Sequence, residues 1–339
     1  MTKPVLSIVA GTYNRRDQLQ RLVESVARET KVPHVLYVTD AGSTDGTVEY
    51  LKSVASPSVR PIFVGKLLGQ ARAYNDVFMA VDTPYVCWVS DDNEIVNNGL
   101  DVGVSILKKN RRIGMVGLKV RDQEGPFVKS PYIGGVSSIG ILNVNQGMLP
   151  TAVMQAVGGF SEGFRDYGID PDLTAKVLFL GFDIVYTRQV AIHHFRNWAE
   201  DKSSPEYKAL AVKQERGKQR YEALYSPLAA KQRDNALKKR AWEFARAKLS
   251  KRFEFSMNSS TPILGNLPRD YYNTVMSKYI SMLDPLATLS KEYHLRQRFR
   301  GEWKLVADSD VPAVQAGAPP ASLAPASRKK SGVGGPQTA

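Results

Sequence analysis

The chain has 339 residues, 43% of them hydrophobic and 23% charged, and a formal net charge of +13. That is enough for a large core and a second unit, and no run approaches the roughly 20 apolar residues of a membrane span. A single cysteine, Cys87, excludes an internal disulfide and fits a reducing, cytoplasmic compartment, and the N-terminus lacks the layout of a secretory signal.

Residues 5–10 form an apolar strand that breaks at Gly11-Thr12-Tyr13-Asn14. Residues 17–28 place Leu19, Leu22, Val23 and Val26 on one helical face. Strands follow at 34–39 and 61–64, with a short helix at 48–54 between them. A helix spans 70–81, a strand 85–89, a helix 100–109 and a strand 113–120. Strands alternating with helices at this pace imply βαβ units and a mostly parallel sheet. Residues 125–150 change texture to glycines and β-branched residues, which predicts antiparallel strands and loops. Short helices are expected at 151–157 and 171–180, and a last strand at 183–195.

The charge is uneven. Residues 1–201 balance to zero, whereas residues 202–304 carry +12. The second part is helical in pattern, at 208–225, at 229–253 and in pieces over 271–300. Within it residues 238–253 are basic and amphipathic. Three readings fit: a helix packed by its apolar stripe, a helix lying on an anionic membrane surface, or a grip on a polyanion such as an acidic glycan or nucleic acid. The Ala/Pro/Ser/Gly-rich segment 308–339 cannot bury enough to offset the entropy of ordering and is expected to be disordered. The expected division is therefore a catalytic domain over 1–200, a basic helical region over 201–307, and the tail.

The most informative stretch is Tyr85-Val86-Cys87-Trp88-Val89-Ser90-Asp91-Asp92-Asn93. A strand buried on both faces ends abruptly in acids, at the position where open α/β sheets bind ligands. Adjacent carboxylates raise each other's pKa unless a cation pairs them, and a divalent ion holding a phosphate resolves that conflict. The turn Asp40-Ala41-Gly42-Ser43-Thr44-Asp45-Gly46-Thr47 is either a helix-capping turn or a ligand contact. Asp170-Pro171-Asp172 opens a helix, with Pro171 suited to its first turn and Asp170 to the N-cap. His193-His194 closes the last strand, and alternation allows only one of the two to face the site.

In their order along the chain, Tyr13-Asn14-Arg15, the Asp40 turn, Gly69-Gln70-Ala71-Arg72-Ala73-Tyr74-Asn75, Ser90-Asp91-Asp92-Asn93 and Gly158-Gly159-Phe160-Ser161-Glu162 resemble the family 2 glycosyltransferases of GT-A fold. The resemblance covers roughly residues 4–196. It implies a Rossmann-like α/β sheet flanked by helices and a nucleotide-diphospho-sugar donor lying across the strand ends. Gly11, Thr12, Tyr13, Asn14 and Asp40 would hold base and ribose, Arg72 and Asn75 would sit near the donor, and Asp91 near the ribose. Asp92 and His193, chosen over His194, would bind Mn²⁺ or Mg²⁺. Asp170 would be the general base for an inverting displacement, with Asp172 the second candidate. The chain departs from the family at Tyr74, Ser90 and Ile169, where arginine, aspartate and glutamate are usual. The implied acceptor is a glycan, a lipid-linked sugar or a polyanionic macromolecule. The rival reading is a non-catalytic module of the same fold whose basic part binds nucleic acid or membrane.

Overall fold

β1 (Leu6–Thr12) lies at the centre of a mixed sheet, and the alternation of its side chains explains why both faces are covered. Val9 points into one buried cluster, and Leu6, Ile8 and Ala10 into the other. The computed structural model describes residues 2–109, 111, 113–124, 128, 144–179, 182–196, 203–225 and 271–272. Helix α1 (Arg16–Glu29) buries Leu19, Leu22, Val23 and Val26, the stripe expected from sequence. It returns the chain to β2 (His34–Asp40), which is parallel to β1. Helix α2 (Thr47–Val54) leads to β3 (Val59–Phe63) at the sheet's edge. Helix α3 (Gln70–Phe78) then crosses to β4 (Tyr85–Trp88) on the opposite side of β1. The strand order therefore reverses at β1, which opens a crevice beyond the ends of β1 and β4.

The second half departs from simple parallel winding. After β5 (Asn93–Ile95) and α4 (Gly99–Lys109) come β6 (Ile113–Asp122) and β7 (Gly147–Pro150). β7 is antiparallel to both β4 and β6 and joins the two halves of the sheet. α5 (Thr151–Ala156), a 3₁₀ turn (Glu162–Phe164) and α6 (Ile169–Phe179) precede β8 (Asp183–His194), which is parallel to β6 and antiparallel to β5. The order is β3-β2-β1-β4-β7-β6-β8-β5.

One face packs α1, α2 and α4 through Leu22, Leu51 and Leu100. The other packs α3, α5 and α6 around Phe160, whose ring meets Tyr74 at 5.9 Å and Trp88 at 5.8 Å, edge-on in both cases. The α/β class expected from sequence is the fold observed.

Several boundaries differ from expectation. β1 continues through Gly11 to Thr12, because its backbone pairs with β2 as far as Thr12 opposite Asp40. α6 begins at Ile169, so Asp170 lies inside the first turn and is not the N-cap. Of the strands expected over 125–150, β7 is described. The rest of that segment lies mostly outside the described residues.

Helix α7 (Pro205–Tyr225) starts three residues earlier than predicted. It sits beyond the boundary expected at 200, yet Tyr221 is buried in the same cluster as Phe160 and Leu173. Gly217 makes this approach possible: a Cβ there would stand 2.5 Å from the Tyr167 carbonyl oxygen. Arg220 lies over the Phe164 ring at 5.5 Å. Tyr271–Tyr272, expected to be helical, pairs antiparallel with β8 as the short strand β9. The basic stretch 238–253, the helical pieces after 272 and the tail 308–339 lie outside the described residues.

Candidate active site

The crevice beyond β1 and β4 is a cleft of about 1200 Å³. Gly11, Thr12 and Tyr13 after β1 line it, as do Ser90, Asp91 and Asp92 after β4. Asp170 on α6 and His194 at the end of β8 face the same space.

Asp91 and Asp92 are both buried, and a cation pairs them. Arg15 Nη1 donates to Asp91 Oδ1 at 3.1 Å and to Asp92 Oδ2 at 3.0 Å. Burial pushes the Asp91 carboxyl up to about 6, with Arg15 opposing the rise. Burial also works against the charge on Asp92, but His194 and Arg15 hold that carboxyl below its ordinary value. His194 Nε2 lies 3.1 Å from Asp92 Oδ1, and its Nδ1 lies 3.0 Å from Asp122 Oδ1. Although burial opposes its charged form, these two carboxylates raise the His194 pKa.

The expectation that His193 faces the acids is therefore corrected. β5 sets the parity: its register pairs Asn93 with His194 and Glu94 with His193. His193 Nδ1 accordingly meets Glu94 Oε2 at 3.3 Å, away from Asp92. Asp122, which sequence reasoning missed, orients His194 as second carboxylates orient metal-binding imidazoles. A carboxylate oxygen converging with an imidazole nitrogen is a donor set that suits a divalent cation. Such an ion completes its shell with substrate phosphates, so it does not require a group of three or more His, Cys, Asp or Glu, and none occurs among the described residues.

Asp170 lines the same cleft from α6. Burial pushes its carboxyl up to about 8, partly offset by the Asn145 amide, the Arg196 charge and the Trp88 indole. The second candidate, Asp172, is only 2% exposed and does not line the cleft. Its Oδ2 accepts from Ser161 Oγ at 2.6 Å and lies 3.4 Å from Lys176 Nζ. Asp172 fastens α6 to the turn before it and is not placed to meet a substrate.

Four expected donor contacts are engaged elsewhere. Asn75 exchanges two hydrogen bonds with the Phe160 backbone, at 2.7 and 2.8 Å, and is buried. Arg72 pairs on the surface with Asp76 at 2.7 Å. Tyr74, at the family's arginine position, donates to the Val89 carbonyl at 2.7 Å and seals the core. Asp40 spends its carboxylate on the backbone N–H groups of Gly42 and Ser43. Asn14, at a positive φ of 52°, accepts from the Thr44 N–H at 2.8 Å while its own N–H donates to Ser43 Oγ at 2.9 Å. Asp40 and Asn14 thus shape the rim from beneath and are absent from the cleft lining.

The remaining wall is α7. Tyr207, Leu210, Gln214, Lys218 and Tyr221 line the cleft, a 3–4 spacing that presents one helical face. Sequence reasoning took this segment for the start of a separate basic region. Arg196, just past β8, also lines the cleft, and its Nη2 lies 3.3 Å from His194 Nδ1. No helix among the described residues is long and apolar enough to cross a membrane.

Residues 7–167 match the family model for Glycosyl transferase family 2. The chain is 26% identical over 235 residues to an N-acetylglucosaminyl-diphospho-decaprenol L-rhamnosyltransferase of Mycobacterium tuberculosis, a match covering 57% of this chain and 76% of that one. Among solved structures it is similar to S. aureus TarS 1-349 in complex with UDP-GlcNAc, with 16% identity and a TM-score of 0.48 over 61% of this chain and 66% of that one. It is also similar to the mannosyltransferase PcManGT from Pyrobaculum calidifontis in complex with GDP-Man and Mn²⁺, with 17% identity and a TM-score of 0.48 over 62% and 61%. The chain spans less than two thirds of each of these two solved chains.

Proposed function

We propose that this chain, a family 2 glycosyltransferase through its residues 7–167, moves a sugar from a nucleotide-diphospho-sugar to an acceptor hydroxyl in one inverting displacement. The observation that carries the reading is that Asp170, a carboxyl with a raised pKa, lines the same cleft as the Asp91–Asp92–His194 cluster. A base with a pKa near working pH is suited to accept a proton in the transition state.

The steps follow from these groups. The donor lies along Gly11, Thr12 and Tyr13 with its diphosphate toward Asp91 and Asp92. Asp170 accepts the acceptor's hydroxyl proton while that oxygen bonds to the anomeric carbon. The bond from the same carbon to the diphosphate breaks, and the electron pair leaves with the nucleoside diphosphate. Asp92 and His194 would hold a divalent cation, Mn²⁺ or Mg²⁺, which when bound supplies Lewis-acid stabilisation to the leaving diphosphate. Asp122 keeps the His194 ring oriented. Tyr207, Gln214 and Lys218 of α7 form the acceptor side.

The relative from Mycobacterium tuberculosis is named for a sugar-diphospho-lipid acceptor, which supports a lipid-linked acceptor here. The proposed membrane, polyanion and nucleic-acid contacts rest on the basic segment outside the described residues. The test is a panel of nucleotide sugars titrated calorimetrically with and without Mn²⁺, followed by transfer assays on the donors that bind. Metal-dependent binding and turnover of one donor are expected. Absence of any donor binding would overturn the enzyme reading and leave the non-catalytic module.

A further inference from the structure

We infer that Arg15 is an internal counter-ion for the Asp91–Asp92 pair that gives way to the divalent cation and transfers to the donor's diphosphate, so that metal and donor bind interdependently. The inference rests on the proposed metal-dependent donor site and goes beyond it by assigning a role to a residue that the reading above leaves unused.

The acid pair is already occupied. Both oxygens of Asp92 are already engaged, Oδ2 by Arg15 and Oδ1 by His194. A cation that takes this carboxylate must therefore share or displace one of them. His194 is fixed: its side chain is 6% exposed and its second nitrogen is held at 3.0 Å by the fully buried Asp122. Arg15 is the movable partner. Its side chain is 41% exposed, it sits at the N-cap of α1 outside the helix proper, and it lines the cleft. Its Nη1 also reaches Asp91, so one guanidinium bridges, and in part compensates, the two acids that a divalent ion would otherwise pair. Like charges a few ångström apart repel, so guanidinium and cation do not share the pair without cost. An incoming diphosphate offers the planar guanidinium a bidentate anionic partner in the same cleft. Once the donor arrives, Arg15 loses little by leaving the acids, and the cation gains the site.

Linkage makes the consequence reciprocal: if Arg15 couples the two ligands, each raises the affinity for the other by the same factor. The device keeps the acid pair bridged by a positive charge when no donor is present and discourages binding of the cation alone.

The test titrates Mn²⁺ into the full-length protein, alone and with saturating UDP or GDP, for the wild type, Arg15→Gln and Arg15→Lys. Thermal unfolding of each variant confirms that it is folded. The wild type should bind Mn²⁺ weakly alone and more tightly with the nucleotide. Arg15→Gln should bind Mn²⁺ alone roughly tenfold more tightly, because the competing charge is gone, and its gain from nucleotide should shrink. Arg15→Lys keeps the charge and should stay near the wild type for Mn²⁺ alone. Equal or weaker Mn²⁺ binding by Arg15→Gln would overturn the inference while leaving the metal-dependent reading intact. Failure of the wild type to bind Mn²⁺ with either nucleotide would overturn that reading and this inference with it.

Discussion

The two halves of the sheet reach the same cleft by different routes. In β3-β2-β1-β4 every strand is parallel, so each delivers its carboxyl end to the crevice, and short signatures after β1 and β4 mark the site directly. In β7-β6-β8-β5 the directions are mixed, with β6 and β8 parallel and β7 and β5 running against them, and the residues that matter are brought together by pairing between distant segments. Asp122 and His194 lie 72 positions apart and meet only because β6 runs beside β8. The first half supplies Gly11, Thr12, Tyr13, Asp91 and Asp92 to the cleft, whereas the second supplies His194 with its partner Asp122, Asp170 and the face of α7. A local signature suffices where the chain arrives end-on, and fails where register decides which side chain turns inward.

That contrast can be broken at its strongest point by Asp170→Asn. Turnover should fall by about 10³-fold, within the range for loss of a general base, while calorimetric donor affinity changes less than about twofold on the same reasoning. In the wild type kcat/KM should rise as pH passes through about 8, because the carboxyl must lose its proton to act as a base. A donor affinity that falls in parallel with turnover would place Asp170 on the donor side.

Next in size is Asp122→Asn. Loss of the carboxylate that orients the imidazole should weaken Mn²⁺ affinity, measured with UDP present, by roughly 10- to 100-fold. His193→Gln should leave that affinity near the wild-type value, since its ring faces Glu94. The reverse pattern would restore His193 as the inward member.

Gly217→Val asks whether α7 belongs to the catalytic unit. The added side chain meets the Tyr167 backbone and should cost about 1–3 kcal/mol in urea unfolding, as overpacking does. An unchanged midpoint would detach α7 from the domain.

The smallest expected effect is on the pH dependence of stability. The Asp170 carboxyl lies at about 8 in the folded chain against an ordinary 3.8. Its protonated form is therefore favoured by folding. The associated stability is fully present below about 4 and lost as pH rises through about 8. Asp170→Asn should flatten that decline, read as a smaller drop in Tm between pH 5 and pH 9.

Much of the fold was legible because hydrophobic period and strand length determine it. The stripe Leu19, Leu22, Val23 and Val26 and the run from Tyr85 to Val89 needed no tertiary information. Asp91, Asp92 and Asp170 were legible as acids at element ends, and the cleft does bring them together. The parity of His193 and His194 was not legible, since it is set by β5, a three-residue strand too short to announce itself. Nor were Arg72 and Asn75, because a helix-opening signature does not say which face turns toward the ligand. Asn75 faces the Phe160 backbone instead. Helix α7 was hidden by composition: its basic surface resembled a separate unit, and its docking depends on one glycine and one tyrosine.

The seam between α3 and the segment carrying Asp170 has a consequence for how the cleft rim can vary. The Gln70 N–H donates to Asp166 Oδ1 at 3.0 Å and the Ala71 N–H to the Arg165 carbonyl at 2.8 Å, while Asn75 holds Phe160. These bonds run through backbone atoms, the Asp166 carboxylate and one buried amide, so they do not involve the side chains that precede them at Lys66, Leu67 and Leu68 on the cleft rim. Side chains can therefore be exchanged at those three rim positions while the bonds that hold α3 to the segment before Asp170 stay in place.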